Sequence, residues 1–131
     1  MIVLDSSAII EMLIGTPKAD RVKALYVSEQ SHAPELVSYE VLSGIHGNVR
    51  GSVLSAQEGE VAMRDFEDVE ANLELWPLLE HMTERALRLR DNVTAYDATY
   101  VALAEILPCP LVTADARLGR AVRDLIDVIV V

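Results

Sequence analysis

One cysteine, one tryptophan and one phenylalanine are all that this chain of 131 residues holds of those types. The lone Cys109 cannot form an internal disulfide, and it sits between Pro108 and Pro110 with no metal-ligand partner beside it. That fits a reducing compartment and argues against thiol chemistry. Long apolar runs are missing as well: Ile2-Val3-Leu4 stops at Asp5, too short for a signal-peptide core or a membrane span. The expectation is a soluble, cytoplasmic protein. No glycine-rich phosphate loop occurs. The histidines, His32, His46 and His81, are too scattered for a zinc site or a nucleophile–base pair.

Positive charge is also in short supply, with 11 Lys and Arg against 21 Asp and Glu and a formal net charge of −10. An acidic surface repels phosphates, which speaks against nucleic acid until the distribution is considered. From Glu58 to Glu84 there are nine acids and one base, Arg64, while the rest of the chain is close to balance. Such a block reads as the solvated face of a helix. Arginines gather late, at Arg85, Arg88, Arg90, Arg117, Arg120 and Arg123.

What the chain has in quantity is aliphatic surface, with hydrophobic residues at 51%. A single domain over residues 1–131, with a core of Leu, Val, Ile and Ala, follows from length and composition. Ile2–Leu4 reads as a buried strand, with Ser6 or Ser7 capping a helix to Leu13 that Gly15-Thr16-Pro17 breaks. A helix over Lys18–Ser28, a strand near His32–Pro34 and a helix from Glu35 to about His46 follow, with Gly47 and Gly51 bracketing that helix's end. Ser55 caps a helix with Val61, Ala62, Phe66 and Val69 on its apolar face. Leu73–Trp76 is a strand stopped by Pro77, and Trp76 is expected in core or strand-edge packing, not as a base-stacking platform. Helices over Leu78–Arg90 and Ala95–Leu107, a strand over Pro110–Thr113, a helix over Ala114–Leu125 and a strand over Val128–Val131 complete the pattern. Short apolar strands alternating with helices predict a parallel sheet covered on both faces, with its ligand crevice beyond the strands' carboxyl ends.

That rule singles out Asp5 and Asp115, each just past a predicted strand. Each also has a plainer reading as a charge at a helix start, and Asp97, three residues after Thr94, as part of a capping box. Glu40 lies among Leu36, Val37 and Val41, and Asp97 among Ala95, Ala98 and Val101. An ionised carboxylate in such surroundings needs a partner or a metal, and no lysine is near either in sequence. Should these acids converge, their mutual repulsion would be relieved by a hard divalent cation, and all-oxygen ligation suits Mg²⁺ or Mn²⁺ better than zinc.

The segments Ile-Val-Leu-Asp-Ser-Ser around Asp5, Ser-Tyr-Glu-Val-Leu-Ser around Glu40, Thr-Ala-Tyr-Asp-Ala-Thr-Tyr around Asp97 and Leu-Val-Thr-Ala-Asp-Ala-Arg-Leu around Asp115 resemble the PIN domain. More narrowly, they resemble the VapC-type ribonuclease toxins of prokaryotic toxin–antitoxin pairs. The resemblance spans essentially the whole chain. It implies a five-stranded parallel sheet of order 3-2-1-4-5 and a Mg²⁺-dependent endoribonuclease site, with Mn²⁺ able to substitute. Asp5, Glu40, Asp97 and Asp115 match the metal-site acids, while Thr113 and Ser6 match supporting hydroxyls. A homodimer, or a hetero-oligomer with a cognate antitoxin protein, is implied, with RNA as substrate. Two positions depart from the pattern. Ser43 stands where many relatives have Asn, and Arg117 where some have a further acid, which favours one firmly held metal over two. Arg117 and Arg120 fall at roughly helical spacing and are candidates for holding substrate phosphate, with surface salt bridges as the alternative.

Other enzymes with similar sheets fit poorly. An aspartate-nucleophile phosphatase wants a second Asp where Ser7 stands, and a response-regulator receiver needs a late lysine, whereas none follows Lys23. A PIN-like module that only binds a partner would have no need of all four acids.

Overall fold

In the computed structural model, which describes residues 1–131, the chain runs β1 (Ile2–Leu4), α1 (Ser6–Ile14), α2 (Ala19–Ser28), β2 (Ser31–Pro34), α3 (Val37–Arg50) and α4 (Ala56–Glu70). It continues with β3 (Glu74–Trp76), α5 (Glu80–Arg88), α6 (Ala95–Ile106), β4 (Leu111–Thr113), α7 (Ala116–Val122) and β5 (Val128–Val130). All five strands are parallel, in the order β3-β2-β1-β4-β5, as expected. β1, β2 and β4 are buried at every residue, whereas the edges β3 and β5 are only partly covered. Continuous apolar runs such as Ile2-Val3-Leu4 make sense only in strands covered on both faces. The main core joins these strands to Ile9 and Met12 of α1, Val37 and Val41 of α3, and Val101 and Leu103 of α6.

Local chemistry explains most boundaries. Gly15, at φ 70°, ends α1 in the left-handed conformation and returns its N–H to Glu11 O. Ser55 and Glu58 start α4 with a reciprocal capping box, Glu58 N donating to Ser55 Oγ at 3.1 Å and Ser55 N to Glu58 Oε2 at 2.7 Å. Trp76 is half-buried on edge strand β3, its Nε1 donating to His32 Nδ1 at 3.2 Å.

Several boundaries differ from those expected, α5 being shorter at both ends, and three of the differences have a visible cause. α1 is not capped by Ser6 or Ser7: Asp5 occupies the N-cap position, makes no side-chain cap bond, and both serines lie inside the helix. α3 runs through Gly47 to Arg50, because Asn48 Nδ2 bonds Gly44 O and Val49 packs onto α4 at Gly59, where any added side chain would collide with it. Tertiary packing there outweighs glycine's poor helix propensity. α7 is shorter than expected, as Asp115 caps it and the N–H groups of Leu125 and Ile126 fold back onto Val122 O at 2.8 and 3.1 Å.

Candidate active site

The carboxyl ends of β1 and β4 lie side by side, and Asp5 N extends their ladder by donating to Val112 O at 2.9 Å. This places the Asp5 carboxylate beside the β4–α7 turn, where it is buried with 4% of its surface exposed. Its Oδ2 accepts from Ser7 Oγ at 2.5 Å and from Thr113 Oγ1 at 2.6 Å. Each hydroxyl has one proton to give. With those protons on Asp5, Ser7 Oγ accepts from Ala114 N at 3.0 Å and Thr113 Oγ1 from Asp115 N at 3.0 Å. The two hydroxyls therefore lock the turn to the aspartate. Oδ1 of Asp5 has only a distant approach from Ser6 Oγ, at 3.4 Å. Asp115 does cap α7, its Oδ1 accepting from Arg117 N at 2.7 Å and Leu118 N at 3.2 Å, so the capping role and a place beside Asp5 coexist in one residue.

Glu40, in the first turn of α3, and Asp97, in the first turn of α6, face the same crevice. Glu40 Oε2 accepts from the hydroxyl of fully buried Tyr100 at 2.6 Å. Burial raises the Glu40 pKa above the usual range, and the negative charges of Asp5 and Asp97 add to the rise while Tyr100 and Ser6 oppose it. Asp97 is likewise raised, chiefly by burial and then by Asp5 and Asp115, with Thr94 and Arg117 acting the other way. Burial and the neighbouring Glu40 push the Tyr100 phenol far upward, so it remains a donor. Glu40 thus feels Asp5 and Asp97, and Asp97 feels Asp5 and Asp115, while none of Asp5, Glu40 and Asp97 is ion-paired with a basic side chain. No three of them are drawn close enough together to make a closed metal cage in advance. The donor set itself, oxygen only and short of counter-charge, suits a hard divalent cation.

Residues 2–124 match the PIN domain family. The chain belongs to that family. It is 39% identical to Ribonuclease VapC12 of Mycobacterium tuberculosis over 92% of each chain. To Ribonuclease VapC9 of the same organism it is 38% identical, over 91% of this chain and 89% of the relative. A solved toxin–antitoxin complex from Klebsiella pneumoniae contains a chain that superposes with a TM-score of 0.69 at 16% identity, covering 98% of this chain and 96% of that one, which shows the shared fold.

In this PIN domain the remaining candidates are spread around the acids. Ser43 is exposed on α3 and lines the cleft that also holds Ser6 and Glu40. The guanidinium of Arg117 lies 3.8 Å from Asp115 Oδ2 and is largely exposed. Arg120 is exposed in the last turn of α7, and Arg123 lies past the helix as its C-cap. Three contributors escaped the sequence reading. Ser7, more than Ser6, carries the bond to Asp5. Tyr100 holds Glu40 from 60 residues away. Lys18, at the start of α2, reaches across to donate to Ala114 O at 3.3 Å and brings a cation to the turn that precedes α7. A hydroxyl two residues past Asp5 and a tyrosine one turn after Asp97 were the available signals. Neither residue type distinguishes a site contact from core packing. His32 and His81 are absorbed elsewhere, by Trp76 and by Glu105.

Proposed function

We propose that the chain is a metal-dependent endoribonuclease, the toxin of a type II toxin–antitoxin pair, with Asp5, Glu40, Asp97 and Asp115 as its metal-site acids. One observation carries the reading: acids from four separate elements lie near enough that burial and the neighbouring carboxylates work against the charge of Glu40 and Asp97. A fold does not gather such charge at the end of its sheet for stability alone. The names of the relatives, ribonucleases aligned over nine-tenths of the chain, support the activity.

The residues divide the labour by oxygen atom. Asp5 has Oδ2 held by two hydroxyls, Glu40 has Oε2 held by Tyr100, and Asp115 has Oδ1 held by its own helix. In each, the other oxygen has no close hydrogen bond within the protein, Ser6 Oγ standing 3.4 Å from Asp5 Oδ1 and the Arg117 guanidinium 3.8 Å from Asp115 Oδ2. Mg²⁺, or Mn²⁺ in its place, supplies an activated water and neutralises charge on the leaving oxygen when bound there. Thr113 and Ser7 keep the Asp5 carboxylate oriented through the hydrogen bonds to its Oδ2. Lys18, Arg117 and Arg120 offer positive charge to the backbone of the RNA on the Asp115 side.

An antitoxin protein as partner accords with the toxin–antitoxin complex among the structural neighbours, and a homodimer in the cytoplasm is part of the same reading. No helix is long and apolar enough to cross a membrane. Asp5→Asn and Asp97→Asn are expected to abolish Mg²⁺-dependent cleavage of RNA with the circular dichroism spectrum unchanged, and EDTA to do the same to the parent. Equal cleavage by parent and both variants would expose a contaminating nuclease, and a clean parent that cuts no RNA from a matched host overturns the reading.

A further inference from the structure

Each of the two helical acids is preceded by an exposed tyrosine, Tyr39 before Glu40 and Tyr96 before Asp97. Their surfaces are 78% and 64% open to water, in a chain with only four tyrosines. Both rings line a cleft of about 510 Å³ together with Leu36, Ser6 and Glu40. The same two rings and Leu36 border a second hollow of about 330 Å³ that Trp76 and Leu78 complete. The acid crevice therefore opens sideways onto a continuous aromatic and aliphatic trough, large enough for a small planar ligand.

We propose that this trough receives an unpaired base of the RNA next to the bond being cut, stacked against Tyr39 and Tyr96. The inference rests on the ribonuclease reading and adds where the substrate's neutral part lies. The sheet order supplies the argument. Asp5 follows central β1. The cations Lys18 and Arg117 cluster past β4, and the aromatic side chains lie past β2 and β3, on the other side of β1. A nucleotide crossing the acids thus meets positive charge on one flank and uncharged ring surface on the other. Phosphate is repelled from the trough by Glu35 and Glu40 on its walls. A base carries no charge and gains from ring stacking whatever its identity.

The test uses a single-stranded oligonucleotide that the parent cuts at one bond, and copies in which one nucleotide at a time is abasic. Tyr39→Ala and Tyr96→Ala are each expected to raise KM about tenfold to a hundredfold with kcat nearly unchanged. Tyr39→Phe and Tyr96→Phe keep the parent's KM, because stacking needs the ring and not the hydroxyl. One abasic position beside the cut costs the parent a similar loss and costs the alanine variants no more. Parent-like KM in both alanine variants overturns the proposal, as does an abasic loss that adds in full to theirs. Light scattering provides the remaining outcome: if Tyr39→Ala converts a parental dimer to monomer and its KM loss follows that dissociation, the trough is a contact between copies and the proposal fails. A parent that cuts none of these RNAs fails the ribonuclease reading itself, a result distinct from parent-like variants.

Discussion

Glu40 and Glu58 are both glutamates in the first turn of a helix, and the protein shifts them in opposite directions. Glu58 is fully exposed, and its bonds to the backbone and side chain of Ser55 lower its pKa. Glu40 is raised by burial and by neighbouring acids. Glu58 belongs to the acidic block that accounts for most of the net charge, where the carboxylates are mainly solvated and serve the helix that carries them. Glu40 belongs to a set whose members burden one another. The contrast teaches that an acidic count says little about a site, while the sign of each acid's local cost says much.

Exchanging charge for amide at the two positions should break the comparison most sharply. Glu40→Gln is expected to lower RNA cleavage by at least about a hundredfold, while its amide oxygen still accepts from Tyr100. The same change relieves repulsion, so the metal-free variant should melt about 2–5 °C above the parent. Glu58→Gln should leave cleavage at the parental rate. Loss of activity in both variants, followed by assays on a fluorescent oligonucleotide, would deny that the crevice is special.

The next effect is smaller, since it acts through Glu40. Tyr100→Phe removes the buried donor and leaves Oε2 unpartnered, which by the cost of an unmet buried acceptor predicts about a tenfold loss in kcat. Tyr100 is a positioning residue on this view. Mn²⁺ affinity, read by titration calorimetry, should weaken in parallel, and unchanged Mn²⁺ binding would reduce the tyrosine to a packing role.

How much of this was legible in the sequence depends on distance along the chain. Apolar triplets such as Ile2-Val3-Leu4 declare their strands locally, and Asp5 and Asp115 follow from sitting at strand ends in a parallel sheet. The Ser55–Glu58 capping box is likewise a three-residue signal. Glu40 and Asp97 are set by how α3 and α6 pack on the sheet, which periodicity does not encode; their apolar neighbours in sequence hinted at them, and the family resemblance supplied most of the rest. The Tyr100–Glu40 bond and the reach of Lys18 to Ala114 join residues 60 and 96 positions apart, beyond any local pattern. α3 outran its expected end for the same reason, because Val49 finds its place against Gly59 of another helix.

The raised pKa values of Glu40 and Asp97 carry a pH dependence with a definite sign. The folded, metal-free protein holds their protons more tightly than the unfolded chain does. Their contribution is therefore fully present below about 4, the range of their ordinary values of 4.5 and 3.8, and is lost as pH rises through the raised ones. Metal-stripped protein should gain stability on acidification from neutral pH toward 5. Glu40→Gln/Asp97→Asn should flatten that gain, which separates it from the general relief of negative charge. Melting curves in which parent and double variant rise equally would assign the effect to net charge alone.

Glu58 offers the smallest effect and the cleanest contrast. Its pKa is lowered, so its contribution is present above about 4.5 and is lost only as pH falls through the lowered value. Glu58→Ala removes the return half of the capping box, leaving Ser55 N to water while Ser55 Oγ still accepts from residue 58. The expected cost is a small fall in Tm, about 1–4 °C. Cleavage should not change, because α4 contributes none of the four acids. Between pH 6 and 7.5 the loss should be constant, since Glu58 stays ionised in both folded and unfolded chains across that window. A stability loss that varied with pH there would tie Glu58 to another titrating group and erase the distinction from Glu40.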